Sequence, residues 1–107
     1  MSIRFDEYKL LEIFCNEPKI LVEEAEIYLY STGYVKDFLF ELYFSTFDEH
    51  VSVRLEHKHL VNPIFDIGLD NISTIRCDEE KIELCRDEEN PVLRIYMKPS
   101  VTLDIDL

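Results

Sequence analysis

The side chains best suited to chemistry in this 107-residue chain are carboxylates, which are concentrated in one short run. Residues 78–89 contain seven acids and two bases, which gives a local charge of 2 − 7 = −5. Such a run is either a pair of solvated turns around one strand, or an acidic rim that binds lysine and arginine side chains of a partner. The candidate partner-binding residues of this run are Asp78, Glu79, Glu80, Glu83, Asp87, Glu88 and Glu89.

A second candidate surface combines tyrosines with acids. The chain has six tyrosines and no tryptophan, and tyrosine offers an interface flat apolar area plus a hydroxyl group. Alternation along a strand predicts that Glu26, Tyr28 and Tyr30 share a face, with a neighbouring strand adding its own acid and tyrosine. The alternative is that this face is covered and forms a second core layer. The candidate patch consists of Glu24, Glu26, Tyr28, Tyr30, Glu41 and Tyr43.

Other chemistry has weaker support. His57 and His59 have a spacing compatible with Zn²⁺, but no further ligands are indicated, and we predict neither a metal nor a cofactor. Cys77 and Cys85 could approach each other across a turn. No nucleophile elbow or glycine-rich phosphate loop is present, whereas a Ser–His–Asp constellation assembles from distant residues and stays open. We predict no catalytic residues and no enzymatic activity.

The composition limits the class of protein. Asp and Glu number 23 against 11 Lys and Arg, a net charge of −12, yet 47% of the residues are hydrophobic and 12% are aromatic. This predicts one folded acidic domain over residues 1–107 that binds a basic partner protein and avoids nucleic acid and anionic membranes. Three cysteines without CxxC spacing, an N-terminus unlike a secretory signal and no membrane-length apolar run predict a cytoplasmic protein.

Period-2 alternation dominates after about residue 20 and predicts antiparallel strands. The predicted fold is mostly β: a meander of seven or eight strands forming a sandwich or curled sheet. The residues Ser31, Thr32 and Gly33 predict a hairpin turn. Before residue 18, helical spacing favours a short N-terminal helix, and an edge strand is the alternative. The clearest predicted strands lie at 20–30, 36–45, 51–56, 81–86, 92–98 and 101–107.

The overall build, together with the runs at 64–72 and 95–103, resembles small acidic immunity proteins of bacterial toxin–immunity systems, including contact-dependent growth inhibition. The resemblance implies a cytoplasmic protein that binds a cognate toxin domain, often a cationic nuclease, and blocks its active site or substrate groove. The leading hypothesis is therefore an immunity protein. The alternatives are a structural or adaptor subunit that assembles through a sheet edge, and a small-ligand or metal-binding β-barrel that uses His57 and His59. The oligomeric state stays open.

Overall fold

The computed structural model describes residues 2–87, 90–98 and 100–106, which form ten strands and one helix. The predicted mostly-β fold with a short helix is confirmed. The number of strands is larger than predicted because the segment 20–30 folds as two strands and the first strand is too short to show alternation. The elements are β1 (Arg4–Phe5), α1 (Glu7–Phe14), β2 (Lys19–Val22), β3 (Ile27–Val35), β4 (Phe38–Ser45), β5 (His50–His57), β6 (Phe65–Leu69), β7 (Thr74–Cys77), β8 (Lys81–Cys85), β9 (Pro91–Tyr96) and β10 (Thr102–Ile105).

The strands form two five-stranded sheets. Sheet I has the order β1-β7-β8-β9-β10, and sheet II has the order β2-β3-β4-β5-β6. Consecutive strands within each sheet pair antiparallel, as short connections require. The parallel pair joins β1 to β7, which lie far apart in the chain. Each sheet is therefore largely a meander.

The inner faces of the two sheets share one hydrophobic core. Along β4 and β5, alternate residues are buried, as the period-2 pattern predicts. Helix α1 adds Leu10 and Phe14, and the Phe14 ring lies 5.4 Å from Tyr30 and 5.8 Å from Phe40. Asp6 caps the start of the helix, because its carboxylate accepts hydrogen bonds from the backbone N–H groups of Tyr8 and Lys9. The predicted helix is confirmed, and the edge-strand alternative is wrong.

The predicted turn at residues 31–33 is wrong. Strand β3 continues to Val35, and the two-residue turn is Lys36–Asp37, with φ angles of 50° and 70°. Gly33, at φ 66°, lies instead in a break of the β3–β4 register between Ser31 and Tyr34. A glycine with positive φ serves a bulge as well as a turn, so its presence did not identify the turn.

The predicted strand at 20–30 is interrupted by a turn. Strands β2 and β3 are separated by the turn at residues 23–26, where Glu26 has a φ of 47°. Glu26 is therefore a turn residue and does not continue the strand face of Tyr28. This places Glu23, Glu24 and Glu26 together at one end of sheet II.

Candidate functional site

The connections β2–β3, β4–β5, β6–β7 and β8–β9 lie at the same end of the two sheets. Backbone hydrogen bonds join them: Thr46 N donates to Glu26 O at 3.2 Å, and Ile72 N donates to Glu49 O at 2.9 Å. A side-chain bond links the β8–β9 connection of sheet I to the residue after β6 of sheet II, where Arg86 Nε donates to Asp70 O at 3.0 Å. The acids of these connections form a surface that we call the acidic end. It comprises Glu23, Glu24, Glu26, Asp48, Glu49, Asp70 and Asp87.

The negative field of this region acts on neighbouring tyrosines. Burial raises the pKa of Tyr28, and the charges of Glu26, Glu7 and Glu23 raise it further. Burial likewise raises the pKa of Tyr30 to about 12, with Glu7 as the largest charge contribution. Because these carboxylates come from both the helix and the β2–β3 turn, the field extends beyond a single loop.

The acidic run at 78–89 does not form one rim. Strand β8 spans five residues, roughly 17 Å, and separates the Asp78–Glu80 turn from Asp87. Asp78 accepts hydrogen bonds from the backbone N–H groups of Glu80 and Lys81 at 2.8 and 3.0 Å, and these bonds lower its pKa. The prediction of a continuous rim is wrong because adjacent turns of a meander lie at opposite ends. Glu88 and Glu89 lie outside the described residues.

Glu83 lies within an ion-pair row on the outer face of sheet I. The row crosses four strands in register, as Arg76, Glu83, Arg94 and Asp104. Glu83 oxygens lie 3.5 Å from Arg76 and 3.6 Å from Arg94, and Arg94 lies 3.3 Å from Asp104. The Glu83 side chain is only 18% exposed. Its charge is therefore neutralised within the molecule and contributes little to an outward acidic surface.

The predicted tyrosine patch is divided between two faces of sheet II. Tyr30 pairs with Leu42 and is buried in the core, whereas Tyr43 pairs with Leu29 on the outer face. Tyr28 also packs against the core. The prediction of one common face is wrong, and the alternative of a core layer is confirmed for Tyr28 and Tyr30.

The other residues of that patch are on the outer face. Glu41 shares with Tyr43 the outer face of β4 and pairs in register with Arg54. Arg54 also forms ion pairs with Glu56 at 3.2 Å and Asp66 at 3.5 Å. The outer face of sheet II therefore carries its own compensated charges, as sheet I does.

An apolar groove of about 990 Å³ lies at the end opposite the acidic end. It runs between α1, the β3–β4 turn, the β7–β8 turn and the β9–β10 connection. Val35 and Phe38 line it and are 57% and 41% exposed. Sequence reasoning missed this groove, although two large apolar residues flanking an exposed turn are an available signal. Its charged lining residues are Lys9, Glu12, Lys36, Asp78, Glu79 and Lys98.

The histidine and cysteine candidates do not converge. His57 Nδ1 accepts from the His59 backbone N–H at 3.1 Å, and the described ranges contain no group of three or more His, Cys, Asp and Glu side chains arranged to hold a metal ion. Cys77 pairs with Ile82 and Cys85 with Thr74, so the predicted approach of the two cysteines is wrong. Burial raises the pKa of Cys77 to about 11, which disfavours the reactive thiolate.

The architecture defines a two-sheet, antiparallel β protein with one helix, charge-compensated sheet faces and two contrasting ends. No protein-family model and no curated protein matches the sequence. The fold is similar to a chain in a solved contact-dependent growth inhibition toxin–immunity protein complex from Klebsiella pneumoniae 342. The match has a TM-score of 0.75 and 20% identity, and it covers 99% of this chain and 98% of the other. The predicted resemblance is therefore confirmed for the fold, which this chain shares with a chain of that toxin–immunity protein complex. Helix α1, the one helix among the described residues, is not long and apolar enough to cross a membrane.

Proposed function

We propose that this chain is an immunity protein that binds and neutralises a cationic toxin domain. The observation that carries the proposal is the collection of acids from separate turns, including Glu24, Asp48 and Asp87, at one end of the molecule. Like charges held close together destabilise a fold unless something compensates them, and a cationic partner does so on binding. The fold similarity to a chain of a toxin–immunity protein complex supports the same role.

The proposed mechanism is competition for a positive surface. A toxin that acts on nucleic acid attracts phosphate with lysine and arginine, and the acidic end offers carboxylates to the same field. Electrostatic steering raises association rates towards about 10⁸–10⁹ M⁻¹s⁻¹ at low salt. The bound protein then blocks the active site or substrate groove without catalysing a reaction, in the cytoplasm where the toxin acts.

The proposed contacts are candidates that lie at the surface and away from the ion-pair rows. Glu24, Glu26 and Asp87 belong to the acidic end and are the primary contacts. Asp78 and Glu79 line the apolar groove and, with the adjacent Glu80, form a separate surface for the partner. Among the other described candidates, Tyr30 lies in the core and Tyr28 packs against it, while Glu83 belongs to an ion-pair row. Glu41 and Tyr43 lie on the outer face of sheet II.

Growth of bacteria that express the toxin encoded by the neighbouring reading frame tests the proposal. We expect that expression of this chain alone leaves growth normal, and that co-expression with the neighbouring toxin restores growth. The purified pair should co-elute. Growth arrest caused by this chain itself would show that it is the toxic component, and failure both to rescue and to bind would refute an immunity role.

Assembly through a sheet edge is the second candidate function. Strand β2 is an edge of sheet II, and its residues Ile20, Leu21 and Val22 are 57%, 50% and 43% exposed. Exposed apolar edges are ready sites for strand pairing. However, the register breaks at Leu21, and two copies with a charge of −12 repel each other. Sedimentation over a range of concentrations separates the two functions, because only the assembly function predicts self-association without a partner.

A further inference from the structure

Three side chains from β5 and the end of β6 form a connected hydrogen-bond chain on the outer face of sheet II. His50 Nδ1 lies 2.8 Å from Asp70 Oδ1, and His50 Nε2 lies 3.0 Å from Ser52 Oγ. The order is carboxylate, imidazole, hydroxyl. This is the connectivity by which a histidine activates a serine nucleophile.

The partners determine the tautomer of the imidazole. An ionised Asp70 carboxylate can only accept hydrogen bonds, so Nδ1 of His50 carries the proton. In the neutral ring, Nε2 is then an acceptor, and the Ser52 hydroxyl donates to it. Ser52 thus has a general base within hydrogen-bond reach, and Asp70 holds that base in the required orientation.

The β5–β6 pairing explains why these groups meet. His50 and Ser52 are alternate residues of β5, so they project from the same face. Gly68 lies opposite Ser52 on β6. A Cβ atom at Gly68 would lie 3.2 Å from His50 Cε1 and 3.5 Å from Ser52 Oγ. The glycine therefore leaves room for the imidazole to lie between Asp70 and Ser52.

The group is open to reagents. The His50 side chain is 36% exposed and that of Asp70 is 78% exposed, while Ser52 is half-buried. We propose that Ser52 is an activated nucleophile that accepts an acyl group from activated carboxylic esters, an activity separate from the proposed partner binding. Ser52 Oγ forms a bond to the ester carbonyl carbon and its proton passes to His50 Nε2. The bond to the leaving alcohol breaks, and that alcohol takes the proton from His50.

The expected acceleration is limited by the surroundings. Strand β5 is paired on both sides, with β4 and with β6, so its backbone N–H groups are used in sheet hydrogen bonding. They are therefore committed and do not stabilise an oxyanion. General-base assistance alone contributes about 10²–10⁴-fold, and we expect acylation of Ser52 in that range above a serine without a base.

Acetylation of the full chain by p-nitrophenyl acetate tests the proposal, with acetyl-Ser52 quantified over time by peptide mass spectrometry. We expect His50→Gln to slow Ser52 acetylation at least 100-fold, and Ser52→Ala to abolish the acetylated peptide. Asp70→Asn should also slow it, because an amide can donate to Nδ1 of His50 and so no longer fixes the tautomer in which Nε2 is the base. His57→Gln is the matched control and should leave the rate unchanged.

One further variant guards against a structural explanation. Gly68→Ala keeps all three side chains but displaces the imidazole, so acetylation should fall while circular dichroism shows an intact fold. Acetylation of lysines without Ser52, or equal Ser52 rates in wild type and a folded His50→Gln variant, would overturn the proposal.

Discussion

Neutralising the acidic end should slow association with the proposed toxin partner. The variant Glu23→Gln/Glu24→Gln/Asp48→Asn removes three negative charges from two turns of that end. A unit charge about 10 Å from a partner cation contributes about 0.4 kcal/mol in water, so three contribute about 1.2 kcal/mol, or about eightfold in association rate at low salt. At physiological salt, screening over about 8 Å reduces this to about twofold.

Stopped-flow association with the purified product of the neighbouring reading frame, over a series of salt concentrations, measures this effect. The matched control is Asp37→Asn/Glu79→Gln/Glu80→Gln, which makes the same charge change at the opposite end. We expect the logarithm of the association rate constant to decrease less than half as much in the control as in the acidic-end variant. Equal losses would show that net charge, and not its location, steers the partner. A larger decrease in the control would show that the partner binds at the groove and not at the acidic end.

Three further predictions concern the fold. Because burial raises the pKa of Tyr30 to about 12, its neutral form stabilises the folded state below about pH 10, and this contribution is lost as the pH rises towards 12. Between these pH values, the free energy of unfolding in urea should therefore decrease by up to about 2–3 kcal/mol less in Tyr30→Phe than in the wild type. Lys36→Asn/Asp37→Gly should raise the free energy of unfolding by about 1–2 kcal/mol, since both positions have positive φ; an unchanged denaturation midpoint would contradict this. Glu83→Gln should lower the free energy of unfolding by about 1–2 kcal/mol, because two arginines lose their shared carboxylate. Asp104→Asn, at a side chain that is 60% exposed, should lower it by under about 0.5 kcal/mol in the same assay.

Although Phe38 at the start of β4 is 41% exposed, the alternation along residues 40–44 and 51–55 was sufficient to predict which side chains form the core of sheet II. It was not sufficient for the neighbouring strand β3. The register of a hairpin depends on its turn, and a shift of one residue moves every side chain to the other face. With the turn at Lys36–Asp37, an unbroken ladder would pair Tyr30 with Tyr43. The register break between Ser31 and Tyr34 pairs Tyr30 with Leu42 instead, so the two tyrosines lie on opposite faces, and the alternation gave no signal of this break.

The sequence predicted an acidic surface but not where that surface lies in the fold. The sequence shows an acidic excess, and its densest run suggested one rim. In the fold, β8 divides that run, while turns distant in the chain, such as those of Glu24, Asp48 and Asp87, come to one end. Pairing of distant segments and the groove between them depend on sheet topology, which local patterns do not contain.

The turns of the acidic end are held together by main-chain atoms, as in the bonds from Thr46 N to Glu26 O and from Ile72 N to Glu49 O. Main-chain atoms are the same whichever side chains the turns carry. Substitutions in these turns can therefore change the surface presented to a partner while the backbone contacts persist, which is compatible with an architecture shared at 20% identity.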